Sequence, residues 1–160
     1  MKRVDIGELA VAGAGESMET NLGSCLGIAI LWPARRRVVL CHVLLPEHPG
    51  TPTDRRYARY ADTAPRHMLR RLRVPDEHLR SLRVVIAGGA TLYAQTNQIG
   101  AKNIRHGVRA LRALGLRILG RDVGEGWTRR MRVSAETGCV EVTRTAEADH
   151  TTRTWRVRWT

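Results

Sequence analysis

Two short runs of branched apolar residues, Leu26 to Leu31 and Val38 to Leu45, constrain this chain more than any other feature. Each has the length and the Val, Ile and Leu content of a buried strand. Pro33-Ala34-Arg35-Arg36-Arg37 lies between them and reads as a polar connection, so the pair predicts a β-hairpin. The hairpin matters for what it carries. Cys25 directly precedes the first run, after the turn-forming Gly23-Ser24, and His42 lies inside the second. Pairing the runs brings the two near each other. A thiol beside an imidazole is the minimum apparatus for attack on an amide or ester. The imidazole takes the thiol proton, and the thiolate is the nucleophile. Free cysteine is also among the most buried residue types, so plain packing is the competing reading.

The other segments extend the frame. Val4 to Ala12 reads as a first strand and Gly13 to Glu19 as a loop. Glu47 to Arg56, with two prolines and a glycine, reads as an exposed loop. Tyr57 to Arg73 has helical character. Pro65 would cost about 3 kcal/mol inside such a helix, so Asp62 is expected as N-cap, with Pro65 in the first turn. Pro75 to His78 predicts a short helical turn, and Leu82 to Ala87 a buried strand ending at Gly88-Gly89. Ile99, Ile104, Val108, Leu111 and Leu114 share one helical face, and Gly115 follows as a stop. Leu116 to Leu119 reads as a strand, and Met131 to Ala135 with Val140 to Thr143 as a hairpin around Thr137-Gly138. Trp155, Val157 and Trp159 alternate with arginines, which predicts an edge strand. The order is strands, helix, strand, helix, strands, an α+β arrangement. No repeat or composition break divides it, so residues 1–160 are expected to form one domain.

Composition narrows the function. No apolar stretch reaches the roughly 18 residues of a membrane span, and Met1-Lys2-Arg3-Val4-Asp5 lacks a signal-peptide core. A cytoplasmic location without membrane insertion is expected. The three cysteines, Cys25, Cys41 and Cys139, are odd in number and not in CxxC spacing, which argues against a disulfide framework. The formal charge is +12, nearly all of the cation being arginine spread along the chain. Phe is absent, and neither RNP-like aromatics nor zinc-finger spacing occurs, so no nucleic-acid partner is expected. The charge reads as arginine filling solvated positions. A basic surface would still steer the chain towards an acidic protein partner.

With these residues in view, the chain resembles the CheD family of chemoreceptor glutamine deamidases. The likeness rests on Leu22-Gly23-Ser24-Cys25, on His42 with Leu45-Pro46, and on Tyr60-Ala61-Asp62-Thr63-Ala64. It continues through Ala87-Gly88-Gly89-Ala90 with Tyr93 nearby, Ile99-Gly100-Ala101-Lys102-Asn103, and Asp122-Val123-Gly124 with Arg129 and Thr137-Gly138. These stretches fall in order over roughly residues 4 to 145, and the tail 146–160 is unmatched. The resemblance implies a layered α/β sandwich with mixed sheets flanked by two main helices, similar to a cysteine-hydrolase toxin domain. It implies conversion of receptor glutamine to glutamate with release of ammonia, and receptor methyl-ester hydrolysis beside it. It makes Cys25 the nucleophile, His42 its base and Thr20 the third polar residue. The implied partners are the cytoplasmic domain of a chemoreceptor as substrate and a CheC-type phosphatase. There are departures: Glu125 stands where the family often has a second glycine, Val38 to Cys41 replace a stretch that is often glycine-containing, and Pro65 replaces a good helix former.

The chemistry assigns further roles. Thr20 is a candidate to orient His42 through its other ring nitrogen, with the capping of a strand or turn as the competing reading. Gly23, Ser24, Gly88 and Gly89 are the candidates for substrate or oxyanion contacts, with ordinary turns as the competing reading. Cys41, next to His42 on a strand, should point to the opposite face. That makes a metal site from Cys25, Cys41, His42 and His48 strained, so neither metal nor cofactor is expected. Asn103 and Asp62 are expected to hold backbone groups. The alternative to an enzyme is a CheD-like docking module that binds a receptor or phosphatase without turnover. A basic nucleic-acid binder is the third reading, carried by charge alone.

Overall fold

The computed structural model describes residues 1–92, 98–148 and 151–159, and their side chains outside 146–157. In chain order the strands are β1 (Lys2–Arg3), β2 (Leu9–Ala12), β3 (Ser17–Leu22), β4 (Leu26–Trp32) and β5 (Arg37–Val43). Helix α1 (Ala64–Leu72), β6 (Arg83–Gly88), α2 (Ile99–Ala113) and β7 (Ile118–Val123) follow. β8 (Thr128–Ser134), β9 (Val140–Ala148) and β10 (Thr151–Trp159) complete the order.

The apolar runs pair as the sequence predicts. β4 and β5 form an antiparallel hairpin with Leu26 opposite Val43 and Gly27 opposite His42. A single 3-10 turn, Pro33–Arg35, joins them. They occupy the middle of one mixed sheet, ordered β2-β5-β4-β6-β7. The other sheet, ordered β1-β3-β8-β9-β10, is also mixed because β1 runs parallel to β3. Side chains alternate across a strand, so β4, β5 and β6 each feed two cores. Ala29, Leu31, Val38, Leu40, Val85 and Ala87 meet Met18, Leu22, Met131 and Val142 of the other sheet. Ile28, Ile30, Val39, Cys41 and Ile86 face α1 and α2 through Met68, Leu72, Val108 and Leu111. The result is the expected α+β architecture: two mixed sheets face to face, with helices covering the outer side of one. Both apolar faces of β4 and β5 are buried, which is why their sequences run apolar without alternation.

Several boundaries differ from the sequence reading. The stretch read as one strand, Val4 to Ala12, is a strand only at its end: β2 pairs with β5, while β1 lies just before the stretch and pairs with β3 in the other sheet. Asp5 to Glu8 makes the crossing, with Gly7 at φ +79°. The loop read over Gly13 to Glu19 ends early, because Ser17 already begins β3. Met18, Thr20 and Leu22 are buried, while the intervening Ser17, Glu19 and Asn21 are not, and those polar residues disguise the strand. The N-cap of α1 is Thr63, not Asp62, with Pro65 in the first turn as required. Asp62 instead accepts the His48 backbone N–H at 2.9 Å. The strand read at Leu116 to Leu119 runs from Ile118 to Val123, parallel to β6. The hairpin β8–β9 and the edge strand β10 form as expected. The side chains of Trp155 and Val157, and all of Tyr93, lie outside the described residues.

Candidate active site

Cys25 and His42 share one face of the central sheet. Gly27 stands opposite His42 in the ladder, and Cys25 is two residues before Gly27 on the same side. Diagonal neighbours in an antiparallel pair have Cα atoms about 7–8 Å apart, a span that long side chains bridge. Both residues are buried, at 8% and 3% exposure. The position opposite the imidazole is closely packed: a Cβ on Gly27 would lie 2.7 Å from Leu22 Cδ1 and 2.9 Å from Met131 Sδ, so those side-chain ends would have to shift.

Thr20 comes from the other sheet. Its hydroxyl lies 2.7 Å from the Val4 carbonyl oxygen and 2.7 Å from His42 Nδ1. These two contacts fix the tautomer. A carbonyl only accepts, so the hydroxyl proton goes to Val4. The Thr20 oxygen must then accept from Nδ1–H. The neutral imidazole keeps its lone pair on Nε2, the atom a general base uses. His42 Nε2 is buried and bonds to no described residue. A buried polar atom without a partner costs about 1–3 kcal/mol, and such atoms call for an explanation such as catalysis. Burial is the main influence on the ring and lowers its pKa from 6.5, while the Val4 carbonyl and Asp5 act the other way. Burial raises the Cys25 thiol above 9.0. The resting pair is therefore neutral thiol and neutral imidazole.

The turn that carries Cys25 is gripped from both sides. Asn103, fully buried on α2, donates from Nδ2 to the Ser24 carbonyl at 3.1 Å and to the Leu44 carbonyl at 3.2 Å. One amide thus ties the turn before Cys25 to the end of the strand that carries His42. On the other side, Gly89 N–H donates to the Cys25 carbonyl and Ala90 N–H to the Gly23 carbonyl. Gly88 adopts φ +100°, and a Cβ there would lie 2.3 Å from the Cys25 oxygen. Gly88 and Gly89 therefore work on the backbone of this turn. The amides of Ser24 and Cys25 donate to no backbone acceptor among the described residues. A groove of about 530 Å³ opens at Gly23, between Asn21–Gly23 and Thr128–Arg130.

Two buried charges sit beside this turn, and the sequence reading had given them no role. Arg129 Nε donates to Asp122 Oδ1 at 2.8 Å, and its guanidinium also reaches the Gly88 carbonyl at 3.4 Å. Arg144 Nε lies 3.0 Å from Asp122 Oδ2, without a straight N–H···O alignment. A period-two reading of β8 would have found Arg129, which shares its face with Met131 and Val133. A charge at such a position has to be paired.

Cys41 points away, as alternation requires. It packs under the helices, and its thiol donates to the Ala58 carbonyl at 3.2 Å. Burial raises its pKa strongly. Cys139 lies at the β8–β9 hairpin and is partly exposed. His48 bonds to loop backbone at Asp54 and Gly50, and His106 pairs with Glu47 at 3.2 Å. Among the described residues, no three His, Cys, Asp or Glu side chains are placed to hold a metal ion. No described helix is long and apolar enough to cross a membrane.

The family model described as CheD chemotactic sensory transduction matches residues 44–144. This chain belongs to the CheD family. It is 30% identical over 155 residues to a probable chemoreceptor glutamine deamidase CheD 2 of Ruegeria, with 84% of this chain and 87% of that protein covered. It is 35% identical over 147 residues to a probable chemoreceptor glutamine deamidase CheD of Natronomonas pharaonis, covering 89% and 87%. It is 32% identical over 139 residues to the chemoreceptor glutamine deamidase CheD of Thermotoga maritima, covering 86% and 87%. The CheD match contains Asn103, Asp122 and Arg129, whereas Thr20, Cys25 and His42 precede it.

Proposed function

We propose that this CheD protein is a cysteine-dependent amidohydrolase that deamidates glutamine side chains of a chemoreceptor cytoplasmic domain. The names of its relatives supply the substrate. The observation that carries the chemistry is the Thr20 hydroxyl held between the Val4 carbonyl and His42 Nδ1, which leaves Nε2 with its lone pair. In the proposed sequence, His42 Nε2 takes the Cys25 proton as sulfur attacks the glutamine carboxamide carbon. The resulting oxyanion is met by the amides of Ser24 and Cys25. His42 returns the proton to the departing nitrogen, ammonia leaves, and a thioester remains. His42 then takes a proton from water as the oxygen attacks, and collapse gives glutamate and the Cys25 thiol. A methyl ester follows the same path with methanol leaving, so receptor methyl-ester hydrolysis is a second reaction of this site.

The test is mass spectrometry of a chemoreceptor cytoplasmic fragment incubated with wild type and with Cys25→Ala. Amide-to-acid mass increases at specific glutamines with wild type alone are expected. Equal conversion by Cys25→Ala would remove the nucleophile. No conversion by wild type, together with tight binding of the fragment, would favour a docking module.

A further inference from the structure

Part of the positive charge that looks evenly spread along the sequence is brought together on two helices. α2 carries Lys102, Arg105, Arg109 and Arg112 and no carboxylate. α1 carries Arg66, Arg70 and Arg71, again with no carboxylate. All of these cations are exposed, and none forms an ion pair among the described residues. The helices lie side by side: Gly107 of α2 packs on Leu26 and comes close to Ala61, just before α1. Their buried faces hold Met68, Leu72, Val108 and Leu111, so the cations share the outer layer. Arg71 and Arg70 add to the effect of burial in lowering the pKa of His67.

The four α2 cations are spaced three, four and three residues apart. At 3.6 residues per turn they fall within about 80° of the helix circumference and extend about 15 Å along it. Like charges at such spacing destabilise a helix unless something opposes them. The N-terminal end of the stripe is the end of α2 nearest the Cys25 turn. Lys102 is followed by Asn103, whose side chain holds the Ser24 and Leu44 carbonyls around the Cys25 turn. A molecule lying along the stripe therefore ends at the end of α2 that holds the nucleophile's turn.

We infer that the α1–α2 layer is a docking face for an acidic α-helical surface of the chemoreceptor, which lies along α2 and brings its target glutamine to Cys25. The occupant's identity rests on the deamidase reading; its anionic character rests on the unpaired charge. A helix with carboxylates at matching three- and four-residue spacing meets the stripe along one face. Such a surface gains mainly association rate and register from charge.

The test compares wild type with Arg105→Gln/Arg109→Gln/Arg112→Gln. These side chains have no ion-pair partner among the described residues, and circular dichroism with the rate of Cys25 alkylation by iodoacetamide checks that the fold and the thiol are unchanged. Binding of a labelled receptor cytoplasmic fragment and its deamidation are measured at low and high salt. The expected result is a loss of about tenfold in kcat/KM at low salt, the lower end of electrostatic steering. The loss should fall on KM, with kcat retained, and the variant should show a flatter salt dependence. Equal affinity and equal salt dependence in wild type and variant would overturn the docking face. If wild type binds the fragment but does not deamidate it, the deamidase reading fails; weaker binding by the variant then still supports the face. No binding by wild type overturns the face. Duplex DNA bound more tightly than the fragment by wild type, and lost in the variant, would assign the face to nucleic acid instead.

Discussion

Cys25 and Cys41 are both buried free thiols attached to one sheet, yet they face opposite sides of it. Cys41 lies among Ile28, Val39 and the helices, and its sulfur has the Ala58 carbonyl as a ready partner. Cys25 lies between the two sheets, on the side where His42 Nε2 bonds to no described residue and Thr20 fixes the ring's tautomer. Burial raises both thiols. Burial alone therefore does not separate a reactive cysteine from a packing one. What separates them is the polar group on the shared face, and alternation along β5 decides which thiol receives it.

The strongest test of this contrast is a pair of substitutions. Cys25→Ala should lower deamidation by at least about a thousandfold, as loss of a nucleophile does, with little change in the denaturation midpoint. Cys41→Ala should do the reverse. It leaves a small cavity and frees the Ala58 carbonyl, costing about 1–3 kcal/mol, while turnover per folded molecule stays near wild type. Loss of turnover in a fully folded Cys41→Ala protein would break the contrast.

Thr20 sharpens it next. Thr20→Val keeps the shape but leaves the Val4 carbonyl and Nδ1–H without their partner. A fall of about tenfold to a hundredfold in kcat is expected, part of what general acid–base catalysis supplies, with KM little changed. Thr20→Ser restores both hydrogen bonds and should recover most of the rate. A serine variant as slow as valine would show that the methyl group, not the hydroxyl, is what matters.

Adjacent residues 41 and 42 also set opposite ends of the pH range. The folded pKa of His42 lies below its ordinary 6.5, so its contribution to stability is complete above 6.5 and is lost as pH falls. The folded pKa of Cys41 lies above its ordinary 9.0, so its contribution is complete below 9.0 and is lost as pH rises. Neutral His42 is the proposed base, so the acid limb of kcat/KM should fall below 6.5. Denaturation midpoints and initial rates across this range check both ends. An acid limb above 6.5 would mean that the base is not the buried imidazole.

The part of this contrast that was legible in the sequence was the part written in one hairpin. β4 and β5 are apolar on both faces, so their pairing and the approach of Cys25 to His42 follow from composition and length. Thr20 was harder, because β3 alternates polar and buried residues and its partner strand β8 lies over a hundred positions away (Thr20 opposite Met131). The Thr20–His42 bond crosses between two sheets, and no local pattern encodes how the sheets stack. Asn103 and Arg129 show the same limit. Each acts on backbone carbonyls distant in sequence, so the motif marked the residue without showing what it grips. The grouping of the helix cations was hidden for a related reason: residues spaced along a chain become neighbours when two helices lie side by side.

The smallest effect belongs to the loop between β7 and β8, on the Cys25 side of the molecule. Gly124 N–H donates to the Gly88 carbonyl and Thr91 N–H to the Glu125 carbonyl, so this loop braces the segment that holds the Cys25 turn. Gly124 and Glu125 both adopt positive φ, at +82° and +56°. A non-glycine residue there costs about 1–2 kcal/mol, and the Glu125 carboxylate offsets part of it by accepting the Trp127 indole N–H. Glu125→Gly relieves the strain but loses that bond and gives the unfolded chain more freedom. The net change should be stabilising and within about 1 kcal/mol, with turnover unchanged because the backbone bracing survives. A stabilised variant with reduced turnover would give the carboxylate itself a part in the site, and the contrast between the two sides of the sheet would then extend to a residue that neither cysteine touches.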